Sequence, residues 1–85
     1  MDGYAERRLV GELDMDATDR LAQALQPVFD RRVPTVVFDL SKLTFIDSSG
    51  LRQLVLTLNH QRSHGGCVVL HAPSASTLRV LASWG

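Results

Sequence analysis

The segment Asp39-Leu40-Ser41-Lys42-Leu43-Thr44-Phe45-Ile46-Asp47-Ser48-Ser49-Gly50-Leu51 passes from the rhythm of a strand to the rhythm of a helix, and so fixes one corner of the fold. Before it, Pro34 leads into Val36, Val37, Phe38 and Leu40, a short β-branched-rich run that reads as a buried strand. After it, Leu51, Leu54, Val55 and Leu58 recur with helical spacing. Asp47, Ser48 and Ser49 therefore stand on a strand-to-helix junction. Unpaired backbone N–H groups collect at a helix start, and negative charge is favoured there. A side chain at such a corner is exposed yet held by rigid elements on both sides, which is where α/β folds commonly place function. The hydroxyls of Ser48 and Ser49 are the best candidates for chemistry in the chain.

The rest of the chain alternates in the same way. Leu9, Val10 and Leu13, mixed with Glu6, Arg7 and Arg8, give a strand over about 5–13 that ends at Gly11-Glu12-Leu13-Asp14. Asp14 or Asp16 can cap the following helix, whose stripe of Ala17, Leu21, Ala24, Leu25, Val28 and Phe29 predicts a helix over about 16–30. Pro27 removes one backbone donor and predicts a kinked or loosened last turn. A strand over 35–40 comes next, then a helix over about 49–62 that stops at Gly65-Gly66. Cys67, Val68, Val69 and Leu70 read as another buried strand, and Ser74 as the cap of a short third helix carrying Leu78, Val80 and Leu81. Strands that alternate with helices imply an α/β domain with a mostly parallel sheet and helices packed on it, because parallel neighbours need a crossover.

With 85 residues the expectation is one small domain over 1–85 with a modest core. Lys plus Arg and Asp plus Glu each number 9, so the net charge is zero and the electrostatic footprint of a nucleic-acid binder is missing. A protein partner is the expectation. The polar N-terminus lacks the apolar core of a signal peptide, and no apolar run approaches the roughly 20 residues that span a bilayer. The chain therefore reads as soluble and cytoplasmic, without membrane insertion, and its one cysteine, Cys67, agrees with a reducing compartment.

Other chemistries fit the residues less well. His60 and His64 share a helical face, but Cys67 and His71 on an extended strand would lie about 13 Å apart, so no metal site is expected and Cys67 is placed in the core. Ile46 stands where a G-x-S-x-G elbow needs glycine, which argues against a serine hydrolase. No glycine-rich phosphate loop is present, so no nucleotide or other cofactor is expected. Ser48 and Ser49 also fit a plain role as helix caps, with capping by Ser49 or Asp47 compatible with a functional Ser48; Asp14 fits a cap, Asp39 a solvated strand end, and Arg7-Arg8 and Arg31-Arg32 solvated faces.

Asp39-Leu40-Ser41 leading to Phe45-Ile46-Asp47-Ser48-Ser49-Gly50-Leu51, with Gly11-Glu12-Leu13-Asp14 upstream and Ala72-Pro73-Ser74 downstream, resembles the bacterial STAS-domain anti-sigma-factor antagonists. The resemblance covers most of the chain. It implies a regulatory binding protein and not an enzyme: the first serine, here Ser48, is phosphorylated by an ATP-using anti-sigma factor kinase and restored by a serine phosphatase. The unphosphorylated form then binds the kinase and makes it release a sigma factor for transcription. Around Ser48 the resemblance places Asp14, Asp47, Ser49, Gly50 and Leu51 at the partner-facing surface, with Gly50 leaving the hydroxyl unshielded and Leu51 anchoring the helix. The alternative within the same family is a structural subunit that never switches, in a lipid-transport or signalling assembly. The family usually has a further strand before the first and a strand and helix after the last, so this version looks trimmed at both ends. An exposed sheet edge favours pairing with another chain, a homo-oligomer included.

Overall fold

A computed structural model describes residues 3–75 and 77–79. The chain runs β1 (Tyr4–Leu13), α1 (Met15–Asp30), β2 (Thr35–Ile46), α2 (Ser48–Ser63) and β3 (Cys67–His71). All three strands are parallel, in the order β1-β2-β3, which is the α/β arrangement the alternation implies. Both crossovers step the same way across the sheet, so right-handed connections lay α1 and α2 on one face, where they pack against each other.

The period of two along the strands decides what that face buries. Leu9 and Leu13 of β1 and Val36, Phe38 and Leu40 of β2 meet Leu21, Leu25 and Val28 of α1 and Leu51 and Leu54 of α2. Val36, Phe38 and Leu25 have no accessible surface at all. The opposite phase of β3 carries Cys67, Val69 and His71, all exposed. This corrects the expectation of a buried Cys67: both described helices lie on the other face, and among the described residues β3 is the last strand of the sheet. Asp39 is corrected in the opposite sense. It is buried, with the Arg8 Nε 3.3 Å from one carboxylate oxygen and the Ser41 N–H donating to the other at 3.0 Å. Arg8 is thus not simply a solvated charge.

β2 runs well past the expected end near Leu40, to Ile46. Its polar continuation, Ser41-Lys42, hides a strand that still pairs with β1, through two irregularities in which β2 holds one residue more than β1. Arg8 faces Asp39 but Val10 faces Lys42; Gly11 faces Leu43 but Glu12 faces Phe45. Thr44 is the extra residue of the second, and its hydroxyl donates to the carbonyl of Gly11, a glycine at φ +76°. The inserted residue reverses the phase, so that Leu43 and Ile46 are both buried while Phe45 turns outward, half exposed.

Helix ends follow from local chemistry. α1 continues unbroken through Pro27 to Asp30, closed by the Arg31 N–H on the Pro27 carbonyl at 3.2 Å. α2 ends at Ser63, and beyond its cap His64 stands Gly65, whose φ of +81° is the left-handed conformation expected at Gly65-Gly66. Gln61, fully buried, ties this end to the sheet: its Nε2 donates to the carbonyls of Val33, Pro34 and Cys67 at 2.8, 3.2 and 3.2 Å. Beyond β3, Ser74 caps a helical turn by accepting from the Thr77 N–H at 3.1 Å. Val80 and Leu81, expected on that helix, lie outside the described residues.

Candidate functional site

Two helix starts stand side by side at the C-terminal end of the parallel sheet, each behind an aspartate. Asp14 follows β1 and Asp47 follows β2, and both hold an extended backbone that frees the side chain to turn back over the first helical turn. The Ala17 N–H donates to Asp14 Oδ1 at 3.0 Å, and the Gly50 N–H donates to Asp47 Oδ1 at 3.0 Å. The Asp47 N–H reaches across to the carbonyl of Leu13 at 3.3 Å, which locks the second junction against the first. The expected cap role of Asp14 is therefore observed. In α2 it is Asp47, not either serine, that caps the helix.

The adjacent serines differ sharply. Ser49 is half-buried, and its hydroxyl donates to Asp47 Oδ1 at 2.6 Å, a length typical of a hydroxyl on a carboxylate. This bond, followed by that from the Gly50 N–H, holds the Asp47 carboxyl below the ordinary carboxylate range. Ser48 is exposed, and its hydroxyl makes no side-chain hydrogen bond among the described residues. One serine is thus spent on the fold and its neighbour is open to solvent.

Gly50 and Leu51 are both buried, so their side of the helix faces inward. A Cβ on residue 50 would lie 2.8 Å from the carbonyl oxygen of Leu13 and equally close to the Leu13 side chain. The close approach that glycine permits is internal: it lets α2 start directly against the end of β1. The exposed surface at this end is made instead by Ser48, Asp14, Met15 and Phe45, with Met15 67% and Phe45 51% accessible. Sequence reasoning passed over Met15 and Phe45. The signal for Phe45 was present in the crowding of Leu43, Phe45 and Ile46, which a strict alternation cannot bury together.

These groups suit modification and docking. A phosphate on Ser48 would bring about −1.5 to −2 charge beside the Asp47 carboxylate. The Gly50 N–H at the helix start already serves Asp47, so it is not free to neutralise such a phosphate. Among the described residues no cluster of three or more His, Cys, Asp or Glu side chains could hold a metal ion. His60 and His64 do meet, ring edge to face at 5.2 Å, with His60 stacked on Phe29. No described helix is long and apolar enough to cross a membrane.

The family model described as "Mlab, STAS domain" matches residues 7–85. An anti-sigma F factor antagonist from Lysinibacillus sphaericus is 31% identical over 74 residues, which are 86% of this chain and 63% of that protein. The chain thus spans less than two thirds of the length of this relative. Among solved structures, the anti-sigma factor antagonist SpoIIAA in its unphosphorylated form superposes with a TM-score of 0.84 at 24% identity, covering 100% of this chain and 77% of that one. The phosphorylated form of SpoIIAA from Bacillus gives 0.85 at 24% identity, covering 100% and 78%. A sulfate transporter family protein from Wolinella succinogenes gives 0.83 at 19% identity, covering 98% and 67%. At these identities the structures speak for the fold alone.

Proposed function

This chain belongs to the STAS-domain family, and on that premise we propose that it is an anti-sigma-factor antagonist whose binding to an anti-sigma factor kinase is set by phosphorylation of Ser48. One observation carries the reading: of two adjacent serines at the helix start, only Ser48 is exposed with its hydroxyl unspent. The protein is then a substrate and a binding partner, not an enzyme, and it works in the cytoplasm with a serine phosphatase that restores the free hydroxyl. The kinase supplies ATP; the Ser48 oxygen bonds to the γ-phosphorus as the bond to ADP breaks, and the hydroxyl proton passes to a base on the kinase. Unphosphorylated, the corner of Ser48, Asp14, Met15 and Phe45 offers a partner two exposed apolar side chains beside polar groups. Phosphorylated, it offers a doubly anionic group next to Asp47, and like charge together with desolvation opposes docking.

Incubation with an anti-sigma factor kinase and ATP adds one phosphate, located at Ser48 by peptide mass spectrometry. A Ser48→Ala protein that takes up phosphate elsewhere at the same rate would refute the assignment. Ser48→Asp weakens kinase binding while Ser48→Ala does not, and equal affinities for the two variants would remove the electrostatic explanation.

The second reading is a STAS subunit that never switches, in a lipid-transport or signalling assembly. The description of the matching family model favours it. Co-purification separates the two: a histidine-kinase-like ATPase supports the switch, whereas a transporter ATPase supports the permanent subunit.

A further inference from the structure

We infer that Thr18 determines which of the two adjacent serines takes the phosphate, by crowding the Ser49 oxygen from the side of α1; this rests on the switch proposed above. Ser48 and Ser49 carry the same nucleophile on neighbouring residues of one helical turn, so reactivity alone does not choose between them. Nor does the Asp47 bond settle the choice. A hydroxyl that donates its proton to a carboxylate at 2.6 Å is poised toward attack rather than protected from it, because its lone pairs remain available. Something has to occupy the space in front of those lone pairs.

Thr18 stands there. It lies on the first turns of α1, only 8% accessible, and its Oγ1 is 3.5 Å from Ser49 Oγ. That separation is long for a direct O–H···O bond, which runs to about 3.0 Å. Ser49 has a single proton, and the much shorter contact to Asp47 claims it. The Thr18 hydroxyl could donate to Ser49 in turn, but 3.5 Å makes such a bond weak, so Thr18 acts chiefly by filling space. In-line phosphoryl transfer needs phosphorus about 3–3.5 Å from the attacking oxygen before reaction. With the Thr18 hydroxyl at 3.5 Å, a phosphoryl group has no room to approach Ser49 Oγ from the side of α1. Ser48, exposed and with its hydroxyl unbonded among the described residues, has no such cover.

Occlusion and hydrogen bonding make different demands on the variants. Thr18→Val keeps the bulk and loses the hydroxyl; Thr18→Ala loses both. Each protein is treated with an anti-sigma factor kinase and ATP, and the phosphate at positions 48 and 49 is quantified by fragment-ion mass spectrometry. In parallel, exchange of the Ser49 hydroxyl proton with water is measured by NMR without kinase. The expected result is phosphate at Ser49 and at least tenfold faster hydroxyl exchange in Thr18→Ala, with Thr18→Val like the wild type in both. Thr18→Ala protein with unchanged Ser49 exchange, or with phosphate still confined to Ser48, overturns the inference. If the wild type takes no phosphate at Ser48 at all, the proposed switch fails, and the exchange rates still decide what Thr18 does.

Discussion

Asp47 Oδ1 accepts two bonds at once, from the Ser49 hydroxyl and from the Gly50 N–H, and so joins helix capping to the presentation of Ser48. Both bonds favour the ionised carboxylate, as the Ser41 N–H first and then Arg8 favour that of Asp39. A carboxyl whose pKa is lowered by folding stabilises the protein fully above its unfolded pKa, and that contribution disappears as pH falls through the folded value. Urea midpoints should therefore hold steady near neutrality and drop on acidification below about pH 4, with a shallower drop for Asp47→Asn than for the wild type. Gln61 makes a prediction of another kind. Replacing it by leucine takes this donor from the buried Val33 carbonyl, while the Pro34 carbonyl keeps the Cys67 N–H, so unfolding free energy should fall by about 1–3 kcal/mol in urea titrations. The Asp-Ser-Ser-Gly run was legible as a helix start, and so as a candidate site, from residue type and position together. The division of labour within it was not. It involves Thr18, a residue 31 positions from Ser49 in the sequence.

The first turn of α2 does its work by lying against the end of β1. Gly50 touches Leu13, and the Asp47 N–H bonds to the Leu13 carbonyl, so the helix start and the strand end form one rigid corner. Gly50→Ala forces a methyl against the Leu13 backbone and side chain at 2.8 Å, and the expected cost is about 1–3 kcal/mol in thermal or chemical unfolding. A stability equal to the wild type would mean that the corner gives way more easily than its packing implies. The helices were readable from their stripes to within a residue or two at either end, and Asp14, Ser74 and Gly65 from cap chemistry. The second half of β2 was not readable, because Ser41-Lys42 and the extra Thr44 break the alternation that marks a strand. That same irregularity turns Phe45 outward beside the junction, so a feature that obscures the strand also shapes the candidate docking surface.

At the scale of the whole molecule, the described part is a three-stranded parallel sheet with both of its long helices on one face and both helix starts at one end. The alternation of elements made this arrangement readable. It could not show which phase of β3 faces the helices, hence the misplacement of Cys67. On the proposed switch, a charge change on Ser48 would act on a partner while the sheet and core stay as they are, since the hydroxyl lies outside the buried set. The direct test is a calorimetric titration of an anti-sigma factor kinase with the protein, first unphosphorylated and then carrying a single phosphate at Ser48. Like charge brought to an interface costs several kcal/mol, so the phosphorylated form should bind at least 100-fold more weakly. Equal affinity of the two forms would contradict the account.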